Sequence, residues 1–214
     1  MRNDQLTIRA TVLDRAFAST RAVLAEVDAS QLTAPTPCAA WDVRGVISHF
    51  LGTARWATGA VSGADDPPPA ADDPPAGDDP VTGGDPVTGG DPAALAASYD
   101  QAIREALAAF AVPGALARPV LLPFGTLTGA ELMVLVARDQ FAHGWDLARA
   151  IGCPADLDGG LASELLELAQ AEGLDAFRGP EGAGLFGPAT EAPAGSGPAD
   201  RLAAFLGRDL RTWL

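Results

Sequence analysis

The sequence predicts an all-α protein, a four-helix bundle with a long crossover loop and short additional helices at its C-terminal end. Apolar residues recur three and four positions apart through long stretches, which is the helical period. Most of these stretches open on a residue suited to capping a helix. No series of alternating apolar and polar residues marks a sheet-based fold.

The first helix is expected over about residues 4–29, where Leu6, Leu13, Phe17, Val23, Leu24 and Val27 follow that spacing. A Pro-rich connection follows at 33–40. Asp42 then caps a second helix running to about Gly59, because its carboxylate suits the free amides of a first turn. Asp91-Pro92 opens a third, with the proline at the first helical position, and that helix reaches about Ala111. Residues 113–127 read as an irregular or short-strand connection. Thr128 and Glu131 form a capping box that starts a strongly apolar fourth helix to about Ile151. A fifth follows Asp158 and ends near Phe177; a Gly/Pro-rich region and a short helix at 199–207 close the chain.

The crossover is the low-complexity segment 61–91. The unit Asp-Pro-Val-Thr-Gly-Gly occurs at 79–84 and again at 85–90, and a third Asp-Pro follows at 91–92. Such a segment buries little and loses much backbone entropy on ordering, so it is expected to be a mobile loop, a tolerated insertion within a single domain spanning 1–214. Two polar copies are too few for a solenoid.

The 214 residues are 48% hydrophobic, which excludes a wholly disordered chain. No apolar run reaches the roughly 18 residues that span a bilayer. The opening Met1-Arg2-Asn3-Asp4-Gln5 lacks a signal-peptide layout, so the expected location is cytoplasmic, with no membrane partner. A net charge of -14 argues against a nucleic-acid partner, which needs clustered cations. Cys38 and Cys153 form no Cys-x-x-Cys pair and read as reduced, mostly buried thiols.

The chemistry concentrates in the 2 histidines, both on expected core helices. Val43, Val46, Ile47, Phe50 and Ala54 make the apolar face of the second helix; His49 sits at its edge, about 60° from Val46. On the fourth helix, Glu131, Arg138 and Arg149 fall within about 20° of one another and read as the solvated stripe. Asp139, His143 and Asp146 project instead with Leu132, Leu135 and Val136, about 60–120° away. A buried carboxylate costs several kcal/mol unless it is paired or bound to a cation. Asp139 and His143 are one turn apart and reach one point beside the helix; His49 would be the third ligand of a divalent metal. Two imidazoles and a carboxylate suit zinc, nickel or ferrous iron and leave positions open for water or substrate. Spacing alone leaves a second reading open: His143 hydrogen-bonded to Asp139 or Asp146 with no metal at all.

Thr36-Pro-Cys-Ala-Ala-Trp-Asp-Val-Arg44 followed by His49 resembles the second-helix motif of actinobacterial proteins related to mycothiol-dependent maleylpyruvate isomerase, within the DinB-like metal-binding bundles. Asp139-Gln-Phe-Ala-His-Gly-Trp-Asp-Leu-Ala148 resembles the matching fourth-helix motif. Leu185-Phe-Gly-Pro188 and Arg201-Leu-Ala-Ala-Phe-Leu-Gly-Arg208 resemble the end of one subgroup. The resemblance covers the chain apart from the repeat loop. It implies a DinB-like bundle with metal ligands at His49, Asp139 and His143, where the isomerase itself carries Glu in place of Asp139. Asp146 has no ligand role in that pattern; it is the candidate catalytic carboxylate, expected behind His143 or facing substrate, where it would orient a metal ligand or handle a proton. The implied cofactors are a divalent metal, zinc before nickel, and mycothiol. The implied activity is a thiol-dependent transfer or isomerisation on a small electrophilic substrate, in a monomer or homodimer. The alternative is a non-catalytic metal-binding module, a sensor or structural bundle. Trp41 and Trp145 read as packing residues near the site, and Cys38 as a thiol packed in a turn. Arg44 reads as a surface or salt-bridge residue, and Arg208 as either a structural residue or one facing an anionic substrate.

Overall fold

The computed structural model describes residues 2–39, 41–64, 91–179 and 186–213, with the backbone alone for 2–10 and 176. The expected mobile loop, apart from its first residues, falls outside the described residues with its repeat, and so do Ala40 and Leu185 of the motifs.

Helices α1 (Arg2–Leu24), α2 (Val43–Ser62), α3 (Pro92–Phe110) and α4 (Gly129–Ile151) form the bundle. Each packs on two others: α1 on α4 and α3, α2 on α3 and α4. Their inward faces bury Leu13, Phe17, Ile47, Phe50, Leu95, Tyr99, Leu132 and Phe141. Burial on this scale contributes about 1.5–3 kcal/mol per large apolar side chain and is what holds the ring of helices together.

The ends follow the capping chemistry read from the sequence. The Asp42 carboxylate accepts the Gly45 amide at 2.8 Å, and α2 runs past Gly59 to Ser62, stopping at Gly63 with φ 101°. Thr128 and Glu131 close the reciprocal box at the start of α4. The first helix is shorter than expected. It ends at Leu24, because Asp28 accepts from Ser30 at 2.8 Å and starts a separate turn, Ala29–Gln31. The connection before α4 contains an antiparallel hairpin, β1 (Pro119–Leu122) with β2 (Gly125–Thr128), in which Val120 faces Leu127. A Cβ at Gly129 would lie 2.1 Å from the Ala115 carbonyl oxygen and 3.1 Å from the Leu116 Cα. Backbone cannot yield as a side chain does, so Gly129→Ala is expected to cost about 1–3 kcal/mol in thermal unfolding.

Beyond the bundle lie α5 (Gly159–Glu172), α6 (Pro198–Phe205) and α7 (Leu210–Trp213). The first two pack together and against α4. This corrects the expected solvated stripe. Glu131 is exposed, but Arg138 is buried and reaches Glu172 at 2.6 Å, while Arg149 reaches Asp200 at 2.7 Å. The charged side of α4 is therefore the seat of the C-terminal helices, and their carboxylates neutralise it.

Candidate metal centre

The centre forms where α2 meets α4. His49 projects from α2; Asp139 and His143 project one turn apart from α4. His49 Nε2 lies 3.0 and 3.1 Å from the two Asp139 oxygens, and His143 Nε2 lies 3.7 Å from Asp139 Oδ1. One donor atom from each of the three residues falls within 4.8 Å of the others. The three residues named from the sequence are thus brought together, His49 lying 90 positions from Asp139 in the chain.

Asp146 does not join that cluster. Its Oδ2 meets His143 Nδ1 at 2.8 Å and its side chain is 0% exposed, so it lies behind His143. A proton on Nδ1 shared with this carboxylate leaves the ring's lone pair on Nε2, the nitrogen that faces Asp139. Arg208, from the segment after α6, grips the same carboxylate with two bonds, Nε to Oδ1 at 3.1 Å and Nη2 to Oδ2 at 2.7 Å. Arg208 is therefore the counter-ion of Asp146, the structural one of its two expected roles.

The electrostatics suit a cation. Burial opposes ionisation of Asp139, but His49, His143 and Arg208 outweigh it and hold the carboxyl below its ordinary value. Burial pushes the His143 imidazole down, and His49 adds to this; Asp146 and Asp139 pull upward without cancelling it. His143 is thus neutral at pH 7 with its lone pair free. Burial also opposes the charge on Asp146, yet Arg208 and His143 hold its carboxyl at about 2.

Trp41 lies against both imidazoles, its ring centroid 4.4 Å from that of His49 and 5.2 Å from that of His143. Trp145 turns elsewhere: its indole N–H donates to Asp200 at 2.8 Å under the Arg149 guanidinium. Cys38 sits in the turn before α2, where its carbonyl accepts from Thr36 Oγ1 at 2.9 Å, and it is not one of the clustered donors. Arg44 is half-buried in the first turn of α2.

Two features went unread in the sequence. Thr53, one turn after His49, places its hydroxyl 3.3 Å from His49 Nε2; the i, i+4 spacing was the available signal. Gln140 is fully buried beside Asp139. It accepts from the Tyr99 hydroxyl at 2.7 Å, donates to the Phe50 carbonyl at 3.3 Å, and its own carbonyl accepts from Thr20 at 2.8 Å. One residue thereby ties α4 to the other three helices of the bundle at the level of the site.

Comparison with known proteins agrees with this architecture. Residues 13–148 match the model of the mycothiol maleylpyruvate isomerase N-terminal domain. An uncharacterized protein found in two strains of Mycobacterium tuberculosis, H37Rv and CDC 1551, is 35% identical over 194 residues, covering 89% of this chain and 92% of the relative. The crystal structure of a histidine-to-alanine mutant of the mycothiol-dependent maleylpyruvate isomerase is similar with a TM-score of 0.54 at 17% identity, over 78% of this chain and 72% of that one. That likeness shows the fold, a DinB-like helical bundle. With a family match spanning all three clustered donors and a relative aligned along nearly its whole length, the chain belongs to the mycothiol maleylpyruvate isomerase N-terminal-domain family.

Proposed function

We propose that this protein is a metal- and thiol-dependent transferase or isomerase acting on a small electrophilic substrate in the cytoplasm. Mycothiol is the proposed thiol, and zinc, with nickel as the alternative, the proposed cation. The observation that carries the reading is the meeting of His49, Asp139 and His143 donors within 4.8 Å. Their chemistry fits: two imidazoles and a carboxylate are accepted by borderline divalent cations, and three protein donors leave room for an external ligand. A cation held there supplies positive charge that lowers the pKa of a coordinating thiol.

The chain's own groups prepare for this. Asp139 stays ionised against burial and brings the negative charge the site needs. His143 offers Nε2 because Asp146 holds Nδ1 from behind. Asp146, fully buried, orients that ring rather than meeting substrate, and Arg208 keeps it ionised. The thiol is drawn from the family, whose name and solved relative are both mycothiol-dependent.

The test is to incubate zinc- or nickel-loaded protein with mycothiol and a panel of electrophiles, including epoxides, quinones and cis-enones. Products are followed by mass spectrometry. Adducts or isomers should form only with metal and thiol together, and not with His49→Ala. Metal-loaded protein that turns over nothing across the panel would contradict the enzymatic reading.

A further inference from the structure

We propose that Trp41 is a positioning residue for the centre, its indole fixing the plane of the His49 ring where no hydrogen bond does so. The inference rests on the reading of His49, Asp139 and His143 as metal ligands. The two imidazoles are held differently. His143 is fixed from behind by Asp146 on Nδ1. Among the described residues, His49 makes its side-chain hydrogen bonds through Nε2 alone, to Asp139 and Thr53. That is the nitrogen facing the other donors. Rotation about the ring-bearing bond of a histidine is soft, so a ring tethered at one atom is free to swing unless something lies on its face.

The Trp41 indole lies there. Its ring is 4.4 Å from His49 at an interplanar angle of 31°, near an offset stack. The same indole meets His143 at 5.2 Å and 53°, and the two imidazoles meet each other at 4.7 Å and 69°. Three rings, from the turn before α2, from α2 and from α4, therefore close on one another.

The chain builds Trp41 into that position. Its amide donates to the Cys38 carbonyl at 2.9 Å and its carbonyl accepts from Thr36 Oγ1 at 2.8 Å. Gly45 makes room for it: a Cβ at that position would lie 2.9 Å from Trp41 Cβ and 3.2 Å from Cγ. Among the described residues the buried indole N–H has no acceptor, so ring contact and shape set its orientation there, not a hydrogen bond. The aromatic face is what the imidazoles use. Phenylalanine keeps a face and drops the orphaned donor; leucine fills space without one.

The experiment compares wild-type protein with Trp41→Phe, Trp41→Leu and Gly45→Ala. Each is checked by thermal unfolding and titrated with cobalt, reading affinity by chelator competition and geometry by the ligand-field spectrum. Trp41→Leu should bind about tenfold or more weaker with an altered spectrum, while Trp41→Phe stays within a few-fold of wild type. Gly45→Ala, which crowds the ring without removing it, should fall between them; if Trp41→Leu does not fold, Gly45→Ala carries the test. Folded Trp41→Leu, or failing it Gly45→Ala, with wild-type affinity and spectrum overturns the inference alone. Wild-type protein that takes up no cobalt overturns the metal reading and this inference with it.

Discussion

His143→Ala is expected to abolish tight metal binding while leaving the helices folded. Four-ligand structural zinc sites bind with about 10–16 kcal/mol, or about 3 kcal/mol per ligand. Removing one of three protein donors should therefore weaken binding on the order of a hundredfold. The fold has little reason to fail. Removing the His143 ring leaves Asp146 still gripped twice by Arg208 and Asp139 still paired with His49. Zinc affinity by chelator competition, with helix content by circular dichroism, reads the two effects separately. A chain that binds zinc as well without this imidazole does not use it as a ligand.

The second large effect is on stability. Arg208→Met leaves the fully buried Asp146 carboxylate facing His143 with no cation beside it. Removing one partner of a buried ion pair costs about 3–5 kcal/mol, which for a protein of this size lowers Tm by about 10 °C. Adding Asp146→Leu to Arg208→Met should recover part of that loss, because the uncompensated charge is gone.

The pH dependence has a definite sign. The Asp146 carboxyl is held at about 2 in the fold, below its unfolded value near 4, so folding favours its ionised form. That contribution is present above the unfolded value and disappears as pH falls toward about 2. In Arg208→Met the carboxyl rises instead, and ionising it in the unfolded chain favours unfolding. The stability gap between the two proteins should thus be wide at pH 7 and narrow as pH falls toward about 4, measured by denaturant unfolding. A gap independent of pH would mean that Arg208 stabilises by packing alone.

How much of this was legible depends on distance along the chain. The shared face of Asp139, His143 and Asp146 follows from the helical period, since residues three and four apart must meet. The arrival of His49 does not, because periodicity says which face is apolar and not which helix covers it; there the family resemblance supplied what spacing lacks. Arg208 gripping Asp146 across 62 positions had no local signal at all. Arg138 and Arg149 misled for the same reason. Arginines in line on one side of a helix read as solvated until Glu172 and Asp200 are known to lie opposite them. The Thr128–Glu131 capping box was legible because a cap is complete within four residues, and the first helix overran because Asp28 begins a turn of its own instead of extending the previous one.

One divalent ion is expected to sit between α2 and α4. Crystals of zinc-loaded protein, measured at the zinc absorption edge, address this directly. A single anomalous peak is expected, bonded to His49 and His143 through Nε2 and to the Asp139 carboxylate, with Asp146 still on the far nitrogen of His143. A peak bound elsewhere, or none in crystals grown with excess zinc, would contradict it.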